Sequence, residues 1–182
     1  MTTYFTSDTH FNHERILTLS NRPFASVQEM EDVLVSNWNA RVQPDDTVYH
    51  LGDFAMHPRD EIPRILSRLN GKIVLVDGNH DHKKTLAYFP EAAHRLDAVI
   101  DGVAVHMVHN PAQAHPAEGQ IVLCGHVHEK WAHIRKGGIV PADDTADHAY
   151  KSDAFTTSTD YYNVGVDVRG YQPVTLAEIL VG

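Results

Sequence analysis

Four short polar clusters carry side chains that can bind metal ions and transfer protons. They are Asp8-Thr9-His10, Gly52-Asp53, Gly78-Asn79-His80-Asp81 and Gly125-His126-Val127-His128. Carboxylate, amide and imidazole groups together suit borderline or hard divalent metals such as Mn, Fe, Zn or Ni. The chain also has 14 histidines, nearly as many as its 15 lysines and arginines, which raises the expectation of a metal site. With a single cysteine, Cys124, a structural zinc site built from several thiolates is not expected.

The spacing inside these clusters suits metal binding. In Asp8-x-His10 and His126-x-His128 the two residues lie two apart, so on an extended segment both side chains point the same way. A glycine directly precedes Asp53, Asn79 and His126, where it allows a sharp turn and a close approach of the backbone to an ion. Each cluster alone is typical of ordinary turns, whereas the four in this order indicate one site.

The predicted secondary structure places every cluster at the carboxyl end of a strand. The patterns predict strands over residues 3–7, 47–51, 72–76 and 120–124, with further strands over 98–100, 103–108 and 161–168. A capping box at Ser26 and Glu29 opens a helix that runs toward Pro44, and helices are predicted over 59–69, 83–89 and 175–180. Because ligands of α/β proteins bind outside the carboxyl ends of strands, the clusters are expected to converge.

The order of the elements predicts the fold class. A βαβαβ pattern followed by antiparallel strands indicates an α/β protein with two mixed β-sheets packed face to face and flanked by helices. With 182 residues, 42% of them apolar, the chain is expected to form a single domain over residues 1–182. Residues 137–159 are rich in Asp, Thr, Ser and Ala and begin with two glycines, which predicts a surface insertion.

Charge and hydropathy argue against two classes of function. Lys and Arg number 15 against 24 Asp and Glu, a formal net charge of −9 with no basic run. A sequence-independent nucleic-acid binder or a polybasic membrane anchor is therefore not expected. No apolar run approaches the roughly 20 residues of a membrane span, and the first residues lack the pattern of a signal peptide. We predict a cytoplasmic protein without a membrane partner.

The order Asp-x-His, Gly-Asp, Gly-Asn-His-Asp, a lone His and Gly-His-x-His resembles the calcineurin-like metallophosphoesterase superfamily. The resemblance covers residues 8–128 and is supported by Asn163-Val164-Gly165-Val166-Asp167. It implies a four-layer αββα fold and two divalent metal ions as cofactors, of which we predict Mn²⁺. The residues that match the ligands of the first ion are Asp8, His10, Asp53 and His128. Those that match the ligands of the second ion are Asp53, Asn79, the lone His and His126, so Asp53 would bridge the two ions.

The lone His is His106 or His109. We choose His109, because it ends the predicted strand and precedes an Asn-Pro turn, as the ligand does in the family. His106 falls inside the strand and is expected to be a packed core histidine. The chain departs from the protein Ser/Thr phosphatase branch after Asp53, where Phe54-Ala55-Met56 stands in place of a second Asp and Arg-Gly. Protein phosphatase activity is therefore not expected.

The same residues predict a mechanism. Two ions held by a bridging carboxylate imply hydrolysis of a phosphate ester by direct attack of a metal-bridging hydroxide, without a covalent intermediate. His80 matches the family's catalytic histidine and is the predicted general acid, with Asp81 orienting its ring. Further candidates for contact with the substrate phosphate are Asn12, His13, Arg15 and Arg22. For these four a solvated helix face is the competing interpretation, and the one we favour.

The sequence thus predicts a dinuclear metal-dependent phosphoesterase that hydrolyses a small phosphomonoester or phosphodiester. One alternative is a nuclease or nucleotide phosphodiesterase that acts on nucleic-acid ends. Another is an HD-type hydrolase with His80 and Asp81 as its metal pair, although such pairs sit on helices and this one follows a strand. A third is a non-catalytic metal-binding scaffold of the same fold, although every expected ligand is present. The natural substrate and the oligomeric state stay open at this point.

Overall fold

The computed structural model describes residues 1–56, 61–143 and 152–181. The α-helices are α1 (Ile16–Leu19), α2 (Val27–Arg41), α3 (Glu61–Leu66), α4 (Lys83–Leu86) and α5 (Leu176–Val181). The β-strands are β1 (Thr3–Thr6), β2 (Thr47–His50), β3 (Lys72–Val76), β4 (Ala92–Ala93), β5 (Arg95–Ile100), β6 (Val103–Val108), β7 (Ile121–Cys124), β8 (His133–Ile134), β9 (Ile139–Val140), β10 (Phe155–Thr156), β11 (Tyr161–Asn163) and β12 (Val174–Thr175). Short 3₁₀ turns occupy Pro111–Gln113, His128–Lys130 and Val166–Val168.

The first sheet has the strand order β12-β1-β2-β3-β4. Strands β1, β2 and β3 pair in parallel, with Thr3 opposite Thr47 and Thr47 opposite Lys72. Helices between successive strands return the chain to the starting edge, which is what a parallel connection requires. The three strands therefore end at the same edge of the sheet, as the sequence predicts.

The second sheet has the order β5-β6-β7-β11-β8 and is mixed. Strands β6, β7 and β11 are parallel, and the outer pairs β5–β6 and β8–β11 are antiparallel. The expectation that the strands of the second half would be antiparallel is wrong for these three. The segments between them, 109–120 and 125–160, are long enough to carry the chain back along the sheet. The carboxyl ends of β6, β7 and β11 thus also lie at one edge.

One apolar core lies between the two sheets. Phe5, Leu51 and Val76 from the first sheet pack with Met107 and Leu123 from the second. Strand β7 is buried on both faces: Leu123 lies in the core between the sheets, whereas its neighbours Val122 and Cys124 belong to a separate cluster. Each fully buried side chain of this kind contributes about 1.5–3 kcal/mol. The predicted α/β fold with two sheets packed face to face is confirmed.

Helix α2 begins where the capping signal predicts. The Ser26 Oγ accepts a hydrogen bond from the Glu29 amide at 3.1 Å, and the Glu29 carboxylate accepts one from the Ala25 amide at 2.6 Å. Apolar side chains of α2, including Met30 and Leu34, pack with α3 and with Leu75 of the first sheet. Helix α3 spans part of the predicted 59–69, of which residues 59 and 60 lie outside the described part of the chain. No helix among the described residues is both long and apolar enough to cross a membrane.

The outer face of the second sheet is covered by part of the predicted insertion, 137–159. Strands β9 and β10 pair in antiparallel fashion, and Asp143 forms a further bridge with Ser152. Val140 and the partly buried Phe155 pack against Val122 and Tyr161. Residues 144–151 of this prediction lie outside the described residues. The described parts therefore form an outer layer of the fold, made of a short strand pair. The predicted strand 161–168 ends at Asn163 and continues as a 3₁₀ turn.

Candidate metal centre

The polar clusters of the sequence meet at the carboxyl ends of the parallel strands. Backbone hydrogen bonds join the segments that carry them: the Asp8 amide donates to the Gly52 carbonyl and the His10 amide to the Asp53 carbonyl, both at 3.0 Å. The Val166 amide donates to the Ser7 carbonyl at 3.1 Å, which connects the two sheets beside the site. The strand ends thus form one rigid floor under the polar side chains.

The backbone of this floor is strained at the residues that carry the chemistry. Of the nine non-glycine residues with positive φ in the described part of the chain, five are candidate metal ligands, with φ of 47–72°: Asp8, His10, Asp53, His126 and His128. Each such conformation costs on the order of 1–3 kcal/mol and persists where the surroundings over-determine it. Gly125 allows the close approach of the strand ends, because a Cβ there would lie 2.5 Å from an Asp8 carboxylate oxygen. The strained backbone at these residues costs folding free energy, and the surrounding contacts hold their side chains in place.

The Asp53 carboxylate lies at the centre of the site. Its Oδ2 is 3.5 Å from His10 Nε2 and 3.4 Å from His109 Nε2. Within the described residues, Asp53 Oδ2 and His10 Nε2 are buried and have no hydrogen-bond partner. Buried polar atoms in folded proteins nearly always have a hydrogen-bond partner or bind an ion. These two atoms therefore fit a cation that both of them bind. The spacing is suited to a cation.

A first group of potential ligands lies on the His10 side of Asp53. Ligand atoms of Asp8, His10 and His128 lie within 4.8 Å of one another, and the imidazole rings of His10 and His128 stack at 5.2 Å. The Asp8 carboxylate is held by the His126 amide at 3.1 Å and by the Ser7 hydroxyl at 2.5 Å. This group brings together two imidazoles and a carboxylate with Asp53 as their neighbour.

A second group lies on the other side of Asp53. Asn79 Oδ1 is 3.0 Å from His109 Nε2 and 3.0 Å from His126 Nδ1, and the two ring nitrogens are 3.3 Å apart. His109 Nδ1 donates a hydrogen bond to the Leu51 carbonyl at 2.7 Å, which directs Nε2 toward Asp53. Two imidazoles, one amide oxygen and one carboxylate oxygen therefore converge here.

The electrostatics of the site favour positive charge. Burial opposes ionisation of Asp53, but the neighbouring His109 and His10 hold the pKa of its carboxyl well below its usual range. Burial opposes protonation of His109, and the Asp53 and Asp8 carboxylates outweigh this and raise the pKa of His109 to about 10. Burial lowers the pKa of His10 well below its usual value, so that imidazole is neutral. An ionised carboxylate and a neutral imidazole are the forms that bind metal ions, so Asp53 and His10 are ready to do so, whereas His109 must give up a proton when an ion binds.

His106, the alternative to His109, lies outside both groups. It is buried, and its Nδ1 contacts the Asp97 carboxylate at 2.8 Å, while its Nε2 accepts a hydrogen bond from the His115 amide at 3.3 Å. Both ring nitrogens are thus used in packing. The structure brings His109 to the site and leaves His106 on the opposite face of β6, as the period of a strand requires.

His80 and Asp81 lie on the turn after β3 and not on a helix, unlike the metal pair of an HD-type hydrolase. His80 Nε2 is 4.0 Å from Asp53 Oδ2, its ring lies 5.3 Å from that of His10, and 23% of its side chain is exposed. The Asp81 carboxylate accepts hydrogen bonds from the amides of Asp53 at 2.7 Å, Gly78 at 2.9 Å and Phe54 at 3.1 Å. Asp81 thus fixes the strand ends together, and its role in orienting His80 stays a prediction.

The four candidates for substrate contact have different surroundings. His13 is half-buried with its Nδ1 3.1 Å from His10 Nδ1, and burial lowers its pKa to about 4. The amide of Asn12 donates to Glu31 at 2.9 Å and its side chain to the Met56 carbonyl at 3.3 Å. Arg15 is exposed at the start of α1. For Asn12, His13 and Arg15, contact with substrate stays a prediction.

Arg22 is buried, so the expectation of a solvated helix face is wrong for this residue. Its guanidinium donates to both carboxylate oxygens of Asp167, at 2.8 and 2.9 Å, and to the carbonyls of Thr9 and Asp8, at 3.1 and 2.6 Å. The remaining donor contacts the sulfur of Met30 at 3.3 Å. All five N–H groups of Arg22 are therefore engaged within the protein, which leaves none for a substrate phosphate.

Two carboxylates in the site were not assigned a role from the sequence. Asp167 follows β11 and contacts His128 Nδ1 at 2.9 Å, and Asp143 follows β9 and contacts His126 Nε2 at 2.7 Å. The position of Asp167 after a strand of the second sheet is a signal that could have indicated it. For Asp143, the sequence of the predicted insertion carries no comparable signal.

A cavity of about 420 Å³ opens beside the second group of ligands. Its lining residues include Asn79, His109, Arg95, Gln113 and His115. Its lining offers hydrogen-bond donors, the positive charge of Arg95 and the carboxylate of Asp77, which contacts His94 at 2.9 Å. The cavity is large enough for an organic group attached to a phosphate bound at the site.

Comparison with known proteins places this geometry in a family. The sequence matches the calcineurin-like phosphoesterase superfamily domain over residues 1–141. It is 33% identical over 177 residues to the uncharacterised protein MJ1445 of Methanocaldococcus jannaschii, which covers 95% of this chain and 86% of that protein. The crystal structure of AQ665, a protein of unknown function from Aquifex aeolicus, is similar with a TM-score of 0.69 and 30% identity, over 98% of this chain and 97% of that one. The chain belongs to the calcineurin-like phosphoesterase superfamily.

Proposed function

We propose that this protein is a dinuclear metal-dependent phosphoesterase that hydrolyses a small phosphomonoester or phosphodiester. The observation that carries the proposal is the position of Asp53 Oδ2, 3.5 Å from His10 Nε2 and 3.4 Å from His109 Nε2. One carboxylate oxygen between two groups of ligands is the arrangement that lets a single side chain bridge two ions. The unpartnered, buried atoms of Asp53 and His10 support the same proposal.

The donor atoms divide into two sets in this proposal. Asp8, His10, Asp53 and His128 would hold one ion, and Asp53, Asn79, His109 and His126 the other. Mixed carboxylate, imidazole and amide donors suit Mn²⁺, which we propose as the metal, with Fe, Zn or Ni as the other metals that this donor set accepts. Bound divalent ions lower the pKa of a coordinated water and stabilise negative charge on phosphoryl oxygens.

His80 is the proposed general acid. It lies 4.0 Å from Asp53 Oδ2 and is partly exposed, so its ring can reach both the site and a departing group. Its backbone amide donates to Asp53 Oδ1 at 2.9 Å, which ties the position of the imidazole to the bridging carboxylate. A protonated imidazole there can give its proton to the leaving alkoxide. His13 cannot share this role at neutral pH, because its pKa of about 4 keeps it neutral.

The charge of the chain supports a small substrate. At a formal net charge of −9 the protein cannot gather a long polyanion by counterion release. Arg95 at the cavity and Arg15 beside His13 are the local cations that this proposal uses, and the cavity of about 420 Å³ would hold the organic group of the substrate. We propose a cytoplasmic protein whose substrate is a small ester such as a nucleotide derivative. The alternative is a nuclease acting on nucleic-acid ends, which steady-state kinetics on nucleic acids would detect.

Metal stoichiometry tests the proposal directly. The protein reconstituted with Mn²⁺ should hold two ions per chain by elemental analysis and hydrolyse bis(nitrophenyl) phosphate or nitrophenyl phosphate. Asp53→Asn keeps the Oδ1 acceptor for His80 but loses the bridging charge, so both ions should bind more weakly. Asp45→Asn, an exposed carboxylate in the turn before β2, is the matched control and should bind two ions. One ion or none in active wild-type protein would contradict the dinuclear proposal.

A further inference from the structure

The His126 ring is held between the second group of ligands and a carboxylate. Its Nδ1 lies 3.0 Å from Asn79 Oδ1 and 3.3 Å from His109 Nε2, whereas its Nε2 lies 2.7 Å from Asp143 Oδ2. His126 is 2% exposed and Asp143 is 8% exposed. A carboxylate accepts hydrogen bonds, so the proton of the ring is on Nε2. The Asn110 amide nitrogen, 3.2 Å from Nε2, can only donate and would need Nε2 without its proton, so the shorter contact, with the buried Asp143 carboxylate, decides the tautomer.

In His128 the other ring nitrogen, Nδ1, contacts a carboxylate. Its Nδ1 contacts Asp167 Oδ2 at 2.9 Å, which leaves Nε2 to face the first group of ligands. The two histidines of the His-x-His motif therefore present different ring nitrogens to the site. Each has a buried carboxylate behind the nitrogen that faces away. A hydrogen bond of this kind fixes the tautomer and the ring orientation of a metal-binding histidine and makes its free nitrogen more basic.

We propose that Asp143 is a positioning residue for the second metal ion, acting through His126. This inference rests on the proposed dinuclear site. The Asp143 carboxylate keeps the proton on His126 Nε2, so that the lone pair of Nδ1 points at the position shared with Asn79 and His109. Asp167 does the same for His128 at the first ion. Two separate carboxylates thus each orient one histidine ligand, one at each ion.

Asp143 lies outside the part of the chain that matches the family model. The family match ends at residue 141, so Asp143 comes from the part of this chain beyond it. Its backbone is fixed by two hydrogen bonds with Ser152, at 2.9 and 3.0 Å, and Lys130 Nζ lies 3.4 Å from its Oδ1. The outer layer that begins at β9 therefore completes the second metal site as well as covering the second sheet.

Asp143→Asn tests the inference, with Asp97→Asn as the matched control. Asp97 makes a similar contact with a buried histidine, His106, but outside the site. Mn²⁺ binding is measured by titration calorimetry and by electron paramagnetic resonance, which distinguishes a coupled ion pair from single ions. We expect Asp143→Asn to weaken one of the two ions about 10–100-fold and to replace the coupled spectrum by that of single ions. Asp97→Asn should bind both ions as the wild type does.

Two further measurements separate positioning from folding. The thermal midpoint of metal-free Asp143→Asn should match the metal-free wild type. Asp167→Asn should weaken the other ion, but its metal-free midpoint should also fall, because it leaves the buried Arg22 without its carboxylate partner. Wild-type protein that fails to bind two ions would overturn the proposed function itself. If the wild type binds two ions and Asp143→Asn binds both with unchanged affinity, the inference alone is overturned. Equal weakening of both ions together with a lower metal-free midpoint would also overturn it, since that is the result of a purely structural role.

Discussion

Arg22 and Asp167 form a buried, two-pronged ion pair, with Nε to Oδ1 at 2.8 Å and an Nη to Oδ2 at 2.9 Å. The two residues are 145 positions apart in the chain and join the segment after β1 to the segment after β11. Asp167 also contacts His128, and burial opposes its ionisation, yet the His128 and Arg22 contacts hold its pKa below the usual value. This pair therefore connects the packing of the two sheets to the position of a candidate metal ligand.

Removing Arg22 should destabilise the protein. Arg22→Ala leaves the buried Asp167 carboxylate without its cation, which typically costs about 3–5 kcal/mol of the free energy of unfolding. Arg68→Ala, which breaks an exposed pair with Asp32, should change the stability far less. Urea denaturation of the metal-free proteins measures both. An unchanged stability of Arg22→Ala with a raised KM would mean that Arg22 binds substrate instead.

Changing His80 should affect chemistry and not metal content. His80→Ala should keep two ions and lose about 10²–10⁴-fold in kcat toward alkyl phosphate esters, because the leaving alkoxide needs a proton. The loss should be much smaller for nitrophenyl esters, whose leaving group is a weak base. His133→Ala, a histidine paired with Asp160 away from the site, is the control and should leave both rates unchanged. Equal relative losses for the two ester types would rule out the general-acid role.

The salt dependence of kcat/KM should identify the size class of the substrate. For a protein that neutralises Z phosphates of duplex DNA, the logarithm of the binding constant falls with the logarithm of the salt concentration, with a slope of about −0.9Z. A small ester bound through one phosphoryl group should therefore lose little activity between low and physiological salt. Steady-state kinetics on a mononucleotide ester and on long single- and double-stranded DNA provide the comparison. DNA preferred by orders of magnitude, with a steep slope, would favour the nuclease alternative.

Glu178 should contribute stability that disappears in acid. Hydrogen bonds from Arg41 lower the pKa of its carboxyl from 4.5 to about 2 in the folded protein. Because the folded pKa is depressed, the contribution is fully present above pH 4.5 and is lost as the pH falls toward 2. The side chain is 45% exposed, so the expected cost of Glu178→Gln at pH 7 is below about 1 kcal/mol. Its difference from wild type, measured by urea denaturation, should shrink between pH 5 and pH 3, and a constant difference would contradict the pairing.

The sequence determined the elements and the residues that follow the strands, because these signals are local. The Ser26 cap starts α2 where predicted, and β1, β2, β3 and β7 each precede a polar cluster. The spacing of two residues within Asp8-x-His10 and His126-x-His128 is visible in the sequence, but the extended conformation expected there is wrong, because all four residues have positive φ angles. The two-sheet fold and the family followed from the order of those signals. Both are confirmed.

The tertiary structure decided the direction of the strands in the second sheet and the surroundings of each candidate residue. Arg15 and Arg22 have the same side chain in the sequence, yet one is exposed and the other has every donor engaged. The carboxylates behind the histidines, Asp143 and Asp167, come from distant segments, and their contacts exist only once the sheets have packed. Burial, pairing and hydrogen-bond satisfaction depend on partners that are remote in sequence, so no local pattern encodes them.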